Sequence, residues 1–232
     1  MAWLLRITVA MPRRPRAQSA GIVHHVINRA SRRLTLFAAD EDYLMMEHVL
    51  FAARHRFGMR LLDWTIMPNH WHLILWPEYD LQLSLFMHWM TTTHTQRWHV
   101  ARRSTGTGPV YQGRYKAIPV QSDDHLLTVA RYVQRNPVRA HLSARVEDWR
   151  WSSAWWRCRK CHIPPDRWPI TEPVDWTTLV NEPMNQIDLS RVRDAIACGW
   201  PYGDADWTEE MGHSFALKRT FRAQGRPSIN CK

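Results

Sequence analysis

Two short stretches of the chain carry side chains whose types and spacing could do chemistry. In MPNHWHLIL, Met67 to Leu75, two histidines flank one tryptophan ahead of an apolar run. Side chains alternate along a strand, so His70 and His72 are expected on one sheet face and Trp71 on the other, in the core. Two imidazoles so placed make half a metal site, and a third ligand must come from elsewhere. On its own, His-x-His is as a rule a pair of histidines satisfied by hydrogen bonds, since burial without partners costs free energy. In LLTVARYVQRNPVRA, Tyr132 and Asn136 are four residues apart, which sets them on one face of a helix. That pair alone reads as a core-edge tyrosine and a helix-terminal asparagine ahead of Pro137. The conjunction of the two stretches is more specific than either.

The elements that must position these side chains follow from local pattern. MPRRPRAQSA is a basic, Pro-rich arm without regular structure. GIVHHVIN, Gly21 to Asn28, is a strand rich in β-branched residues. After the basic loop RASRR, Asp40 is the expected N-cap of a helix over EDYLMMEHVLFAARHRF, which Gly58 ends. MRLLDWTIM is a second strand, Pro68-Asn69 a turn, and HWHLILW a third strand. A long helix is expected from about Leu81 to Arg102. The flexible loop STGTGP leads into a fourth strand over VYQGRYKAIPV, with Gly113 as a bulge. Ser122 is the expected cap of DDHLLTVARYVQRN, which Pro137 stops at about Asn136. This order gives an α+β fold, a ferredoxin-like sandwich whose antiparallel sheet carries helices on one face. No internal repeat is visible. Beyond residue 157 the pattern dissolves into Pro- and Trp-rich sequence, with a short helix near LSRVRDAIACG and a basic tail. The expected units are an arm over residues 1–20, a main domain over 21–157, and an irregular, partly helical extension over 158–232.

Composition points to the partner. Net charge is +10 and the pI is near 10.0. Of the 31 lysines and arginines only Lys116, Lys160, Lys218 and Lys232 are lysines, leaving 27 arginines beside 14 tryptophans. Arginine grips phosphate bidentately and stacks on bases, so nucleic acid is the leading partner class. A codon bias would explain arginine over lysine but not the net charge. Four cysteines in 232 residues make no disulfide framework. No apolar run approaches the about 18 residues of a membrane span. The N-terminal apolar stretch is broken by Arg6 and too short for a secretory signal, and Met11 is a second candidate start. A cytoplasmic protein without membrane contact or small-molecule cofactor is expected.

The chain resembles the single-tyrosine HUH transposase superfamily, and within it the REP-associated tyrosine transposases. The resemblance rests on MPRRPR, HHVINRA, FAADEDY, MPNHWHLIL, VYQGRYKAIPV, RYVQRNPVRA and WRWSSAW, in order across residues 11–155, with GWPYGDADW and RAQGRP further on. It implies an HUH catalytic domain over residues 21–157. It assigns His70 and His72 as metal ligands, Asn136 as the third ligand and Tyr132 as the nucleophile. It implies Mg²⁺ or Mn²⁺ as cofactor and single-stranded DNA with hairpin structure as partner. The implied reaction is a transesterification that leaves a 5′-phosphotyrosine and a free 3′-OH, at short palindromic repeats, with a monomer expected rather than a dimer. By ligand type alone, two imidazoles also suit zinc.

Other residues are open to chemical readings. Tyr111 and Tyr115 share one strand face and read as structure or DNA contact, although Tyr115 is a competing nucleophile. One of His24 and His25 faces the site side of the sheet, where core-edge packing is expected over DNA contact. Arg13, Arg14 and Arg16 in the arm, Arg219, Arg222 and Arg226 in the tail, and Arg114, Lys116 and Arg135 near the site are candidate DNA contacts. In WRWSSAWW, base stacking competes with packing, and packing is expected for at least two tryptophans. Cys158, Cys161 and His162 match a haem-attachment string that reads as chance without an export signal; a partial zinc site is the alternative. Two further readings stand beside the transposase: a catalytically silent hairpin DNA- or RNA-binding protein, and a zinc hydrolase built on His70 and His72.

Overall fold

The computed structural model describes residues 20–159, 164–215 and 217. Its first two-thirds run β1 (Val23–Arg29), α1 (Asp40–Phe57), β2 (Arg60–Met67), β3 (His70–Trp76), α2 (Gln82–Ala101), β4 (Lys116–Val120), α3 (Asp124–Gln134) and α4 (Asn136–Arg139). The strands form one antiparallel sheet in the order β2-β3-β1-β4, the ferredoxin-like arrangement. As expected for that unit, α1 and α2 pack together on one sheet face. Their core takes Val26, Leu61, Trp64, Ile66, Trp71 and Leu73 from the strands, with Met46, Leu50, Phe86 and Met90 from the helices. Trp71 is fully buried there, its Nε1 donating to the Tyr111 hydroxyl at 3.1 Å. Truncating a tryptophan so placed costs about 3–5 kcal/mol.

The opposite face is covered too. Past the ferredoxin-like unit the chain adds α5 (Ser153–Cys158), α6 (Trp176–Asn181), α7 (Gln186–Cys198) and α8 (Ala205–Ser214). Leu126, Val129 and Val133 of α3 join Trp168, Trp176, Val180 and Val192 over Leu62, Ile74 and Ile118 of the sheet. The α6 and α8 helices had no periodic signal strong enough to mark them in the sequence.

Several local expectations are corrected. Ala39, not Asp40, is the residue before α1, and the carboxylate of Asp42 accepts from the backbone N–H groups of Ala38 and Ala39 at 2.9 and 3.3 Å. Gly58 closes that helix in the left-handed region, with φ 60°, as its position required. Asp123 rather than Ser122 caps α3, accepting from His125 N–H at 2.8 Å. The fourth strand is shorter than VYQGRYKAIPV: only Lys116–Val120 pairs with β1. Upstream, Tyr111 forms an isolated bridge to Ala30, Gln112 N–H donates to Arg29 O at 2.9 Å, and Gln112, Gly113 and Arg114 line the rim of a cleft. Pro137 does not end the helical path. A proline needs no N–H in a first turn, so it opens the short α4, and α4 carries Arg139 back towards Tyr132.

Buried ionisable groups set how stability follows pH. His25, His70, His72 and His94 are held neutral by burial, at about 3 for His25, about 4 for His70 and His94, and well below the usual value for His72. Their contribution is present above about 6.5 and is lost as pH falls from there towards 4. Asp63 and Glu47 are pushed up to about 7 by burial, so they act the other way and favour the folded state as pH falls from 7 towards 4. Four groups oppose two, so unfolding takes up about two protons between pH 6 and 4.5, about 3 kcal/mol per pH unit. Thermal melts in chelator are expected to show a falling Tm on acidification across that window. A flat or rising Tm would contradict it.

Candidate active site between the histidine strand and the tyrosine helix

The site is built on β3. Its entry turn is pinned from outside: Ala30 N–H donates to Asn69 O at 2.8 Å, and Leu36 and Phe37 N–H donate to Pro68 O at 2.8 and 3.1 Å. His72 then pairs with Ile27 of β1 and Thr65 of β2, and His70 with Arg29 and Met67. With Trp71 in the core, the two imidazoles share the opposite face, ring centroids 5.0 Å apart. His70 Nδ1 lies 2.7 Å from Asn69 Oδ1, and His72 Nδ1 lies 3.0 Å from His25 Nε2. Each ring therefore has its Nδ1 engaged.

The tyrosine helix α3 crosses this face and is bolted down by its far side. Thr65 Oγ1 donates to Val133 O at 3.0 Å. Gln134 Nε2 donates to Asp63 Oδ2 at 2.6 Å, and Trp176 Nε1 donates to Gln134 Oε1 at 3.1 Å. Arg135 donates to Val180 O at 2.9 Å and to Asn181 O, tying α3 to α6. Tyr132 is thereby held edge-on to His72, with centroids 5.9 Å apart. Asn136 stays one turn on: its Nδ2 donates to Tyr132 O at 3.1 Å and to Val133 O at 3.4 Å. Its Oδ1 accepts from Arg139 Nη2, and the Arg139 guanidinium lies 4.4 Å from the centre of the Tyr132 ring.

His70, His72, Tyr132, Asn136 and Arg139 line one cleft of about 880 Å³. Burial, followed by the positive charge of Arg29 and Arg139, lowers His70 to about 4. Burial is also the leading cause at His72, with His70 next. Both rings are thus neutral near pH 7, the state a metal requires of a histidine ligand. Among the described residues no three His, Cys, Asp or Glu side chains group as a metal site, so a third donor must be of another kind. The Asn136 amide oxygen can supply one, since an oxygen keeps a second lone pair while accepting from Arg139. Two neutral imidazoles and an amide oxygen fit a divalent ion.

The remaining candidates divide. Arg114 and Lys116 line the cleft. Lys116 Nζ donates to Ile196 O at 2.7 Å and Ala197 O at 3.1 Å, which holds the C-terminal end of α7 against the site. Arg135 lies on α6 carbonyls and lines a separate, smaller cleft. Tyr111 lies in the core beneath Trp71, its hydroxyl 2.8 Å from His94 Nδ1, and Tyr115 is buried in the same core. Trp149, Trp151 and Trp156 pack on that core, with Trp151 stacked on Tyr43 at 4.7 Å. Cys158 is exposed. Arg13, Arg14, Arg16, Cys161, His162, Arg219, Arg222 and Arg226 lie outside the described residues. Sequence reasoning missed Arg139 and Arg193, which reach the cleft from α4 and α7, and the contact of His25 with His72. Arg139 had a signal: it stands seven residues after Tyr132, two helical turns on.

Three comparisons with known proteins bear on this site. A family model described as "Transposase IS200 like" matches residues 18–136, just over half of the chain. A solved REP-associated tyrosine transposase bound to a REP hairpin superposes with a TM-score of 0.51 at 19% identity. The match covers 75% of this chain and 98% of that one, and it shows a shared fold. A solved putative transposase from Deinococcus radiodurans R1 matches at 16% identity and a TM-score of 0.36, covering 56% of this chain and 92% of that one. A search of curated proteins finds no match. With the family model spanning β1 through the tyrosine helix, the chain belongs to the IS200-like transposase family.

Proposed function

We propose that this transposase is a metal-dependent single-stranded DNA endonuclease and strand transferase that acts at repetitive palindromic hairpins. The carrying observation is the convergence of His70, His72, Asn136 and Tyr132 in one cleft of one chain. That the tyrosine stands beside the histidines of its own chain supports action as a monomer. The hairpin in the solved REP-associated relative supports the substrate class.

Tyr132 Oη attacks the scissile phosphorus, the bond from phosphorus to the 3′-oxygen breaks, and the phenolic proton passes by way of solvent to the leaving 3′-oxygen. The products are a 5′-phosphotyrosine and a free 3′-OH, and rejoining reverses each bond change. Bound Mg²⁺ or Mn²⁺ would be held by His70, His72 and Asn136, and supplies charge stabilisation on the non-bridging oxygens. Arg139 stands over the attacking ring, and Arg29, Arg114 and Arg193 offer phosphate contacts around the cleft. An adjoining cleft of about 610 Å³ shares Asn28, Gly113 and Arg114 with the first and extends the path open to a strand.

Labelled single-stranded hairpin oligonucleotides test this on a denaturing gel. A protein–DNA adduct is expected with Mn²⁺ or Mg²⁺ and none, at most about 1% of that level, with chelator. Tight hairpin binding with no adduct under any metal would favour the catalytically silent reading instead. An adduct that persists undiminished in chelator would remove the metal from the mechanism.

A further inference from the structure

The buried side of the site holds a histidine that the proposed chemistry does not use. His25 lies on β1 and is 1% exposed. Its ring lies nearly parallel to that of His72, 25° apart with centroids at 5.2 Å, and the hydrogen bond between Nε2 and Nδ1 is 3.0 Å long. A hydrogen bond between two neutral imidazoles has one donor and one acceptor, so its direction fixes both tautomers. At His70 the direction is settled by its partner. Asn69 Oδ1 can only accept, so His70 Nδ1 carries the proton and Nε2 keeps its lone pair. Two histidines that share one ion must both present lone pairs.

We infer that His25 is a positioning residue, which accepts the Nδ1 proton of His72 and so holds the His72 Nε2 lone pair available to a divalent cation. The inference rests on the metal site proposed above. The opposite direction, with His25 donating, would put the His72 proton on Nε2 and remove that ligand. The two supports differ in kind: an amide from the turn serves His70, and an imidazole from the neighbouring strand serves His72. Both are neutral acceptors. An anionic acceptor at either place would offset part of the ion's charge, which a phosphodiester needs in full. Full burial of His25 also keeps water from competing for the His72 proton.

The test is a pair of measurements without DNA. Nitrogen-15 spectra of imidazole-labelled protein in chelator read the tautomers, and Mn²⁺ titration followed by electron paramagnetic resonance reads affinity. Wild type is expected to show His72 protonated at Nδ1. His25→Phe is expected to lose that preference and to bind Mn²⁺ about 10–100-fold more weakly. His25→Gln, whose amide oxygen accepts, is expected to recover most of the affinity. A proton on His72 Nε2 in wild type overturns the inference, as does wild-type Mn²⁺ affinity in a His25→Phe protein that is folded by circular dichroism. If His25→Phe does not fold, the wild-type tautomer and His25→Gln decide. Wild-type protein with the Nδ1 proton in place but no Mn²⁺ binding would refute the metal site and leave the His25–His72 assignment standing.

Discussion

Tyr132→Phe is expected to abolish strand cleavage, by roughly 10⁴-fold or more in the single-turnover rate, while hairpin affinity changes by less than about 3-fold. The hydroxyl is the only atom removed. Nothing else in the described cleft can replace it: Tyr115, the competing nucleophile in the sequence, packs with α1 and α2 on the other face of the sheet and lines the adjoining cleft, not the one that holds His70 and His72. The ring itself stays, so its edge contacts with His72 and His25 and the guanidinium of Arg139 above it keep their packing. The variant should melt within a few degrees of wild type. Wild-type cleavage by a folded Tyr132→Phe protein would end the covalent-tyrosine account, and equal loss of binding and cleavage would show that the ring, not the hydroxyl, matters.

Arg139→Ala is the second large effect. Adduct formation is expected to fall by about 10²–10³-fold, the cost of removing one preorganised donor from a site of developing negative charge. The guanidinium is placed for that work by two contacts, to the Asn136 amide oxygen and over the Tyr132 ring, and its Nη1 is buried without a partner. A phosphate oxygen is the natural acceptor for such a group. The loss should fall on the chemical step in both directions, cleaving and rejoining, because the same phosphorus is attacked in each. Hairpin affinity should weaken by no more than about 10-fold, one phosphate contact among several. Arg139→Lys keeps the charge but not the fork and should recover only part of the rate. Unchanged single-turnover rates in Arg139→Ala would place this residue outside the chemistry.

What the sequence made legible was periodic or punctuated. HWHLILW matched β3 residue for residue because alternation and the Pro-Asn turn both point to the same register. The Tyr132–Asn136 relation survived even though the helix breaks between them, because Arg135 keeps nearly helical backbone angles at the junction. What stayed hidden was non-local. No local pattern says that His25 meets His72, since β1 and β3 are paired across more than 40 residues of chain. Lys116 looked like a phosphate contact from its charge, whereas its place beside the carbonyl end of α7 depends on how the extension folds back. VYQGRYKAIPV had strand composition throughout, yet the ladder to β1 stops at Ile27–Lys116 and returns only as the Ala30–Tyr111 bridge, which leaves four residues, 112–115, opposite two, Asn28 and Arg29. The cleft exists where that pairing fails.

The most direct measurement of the central claim is mass spectrometry on the trapped adduct. Protein would be reacted with a hairpin oligonucleotide and Mn²⁺, quenched, digested with nuclease and protease, and mapped. The account predicts a nucleotide joined through its 5′-phosphate to the peptide that contains Tyr132, at the tyrosine oxygen. Attachment to any other residue, or through a 3′-phosphate, would contradict it.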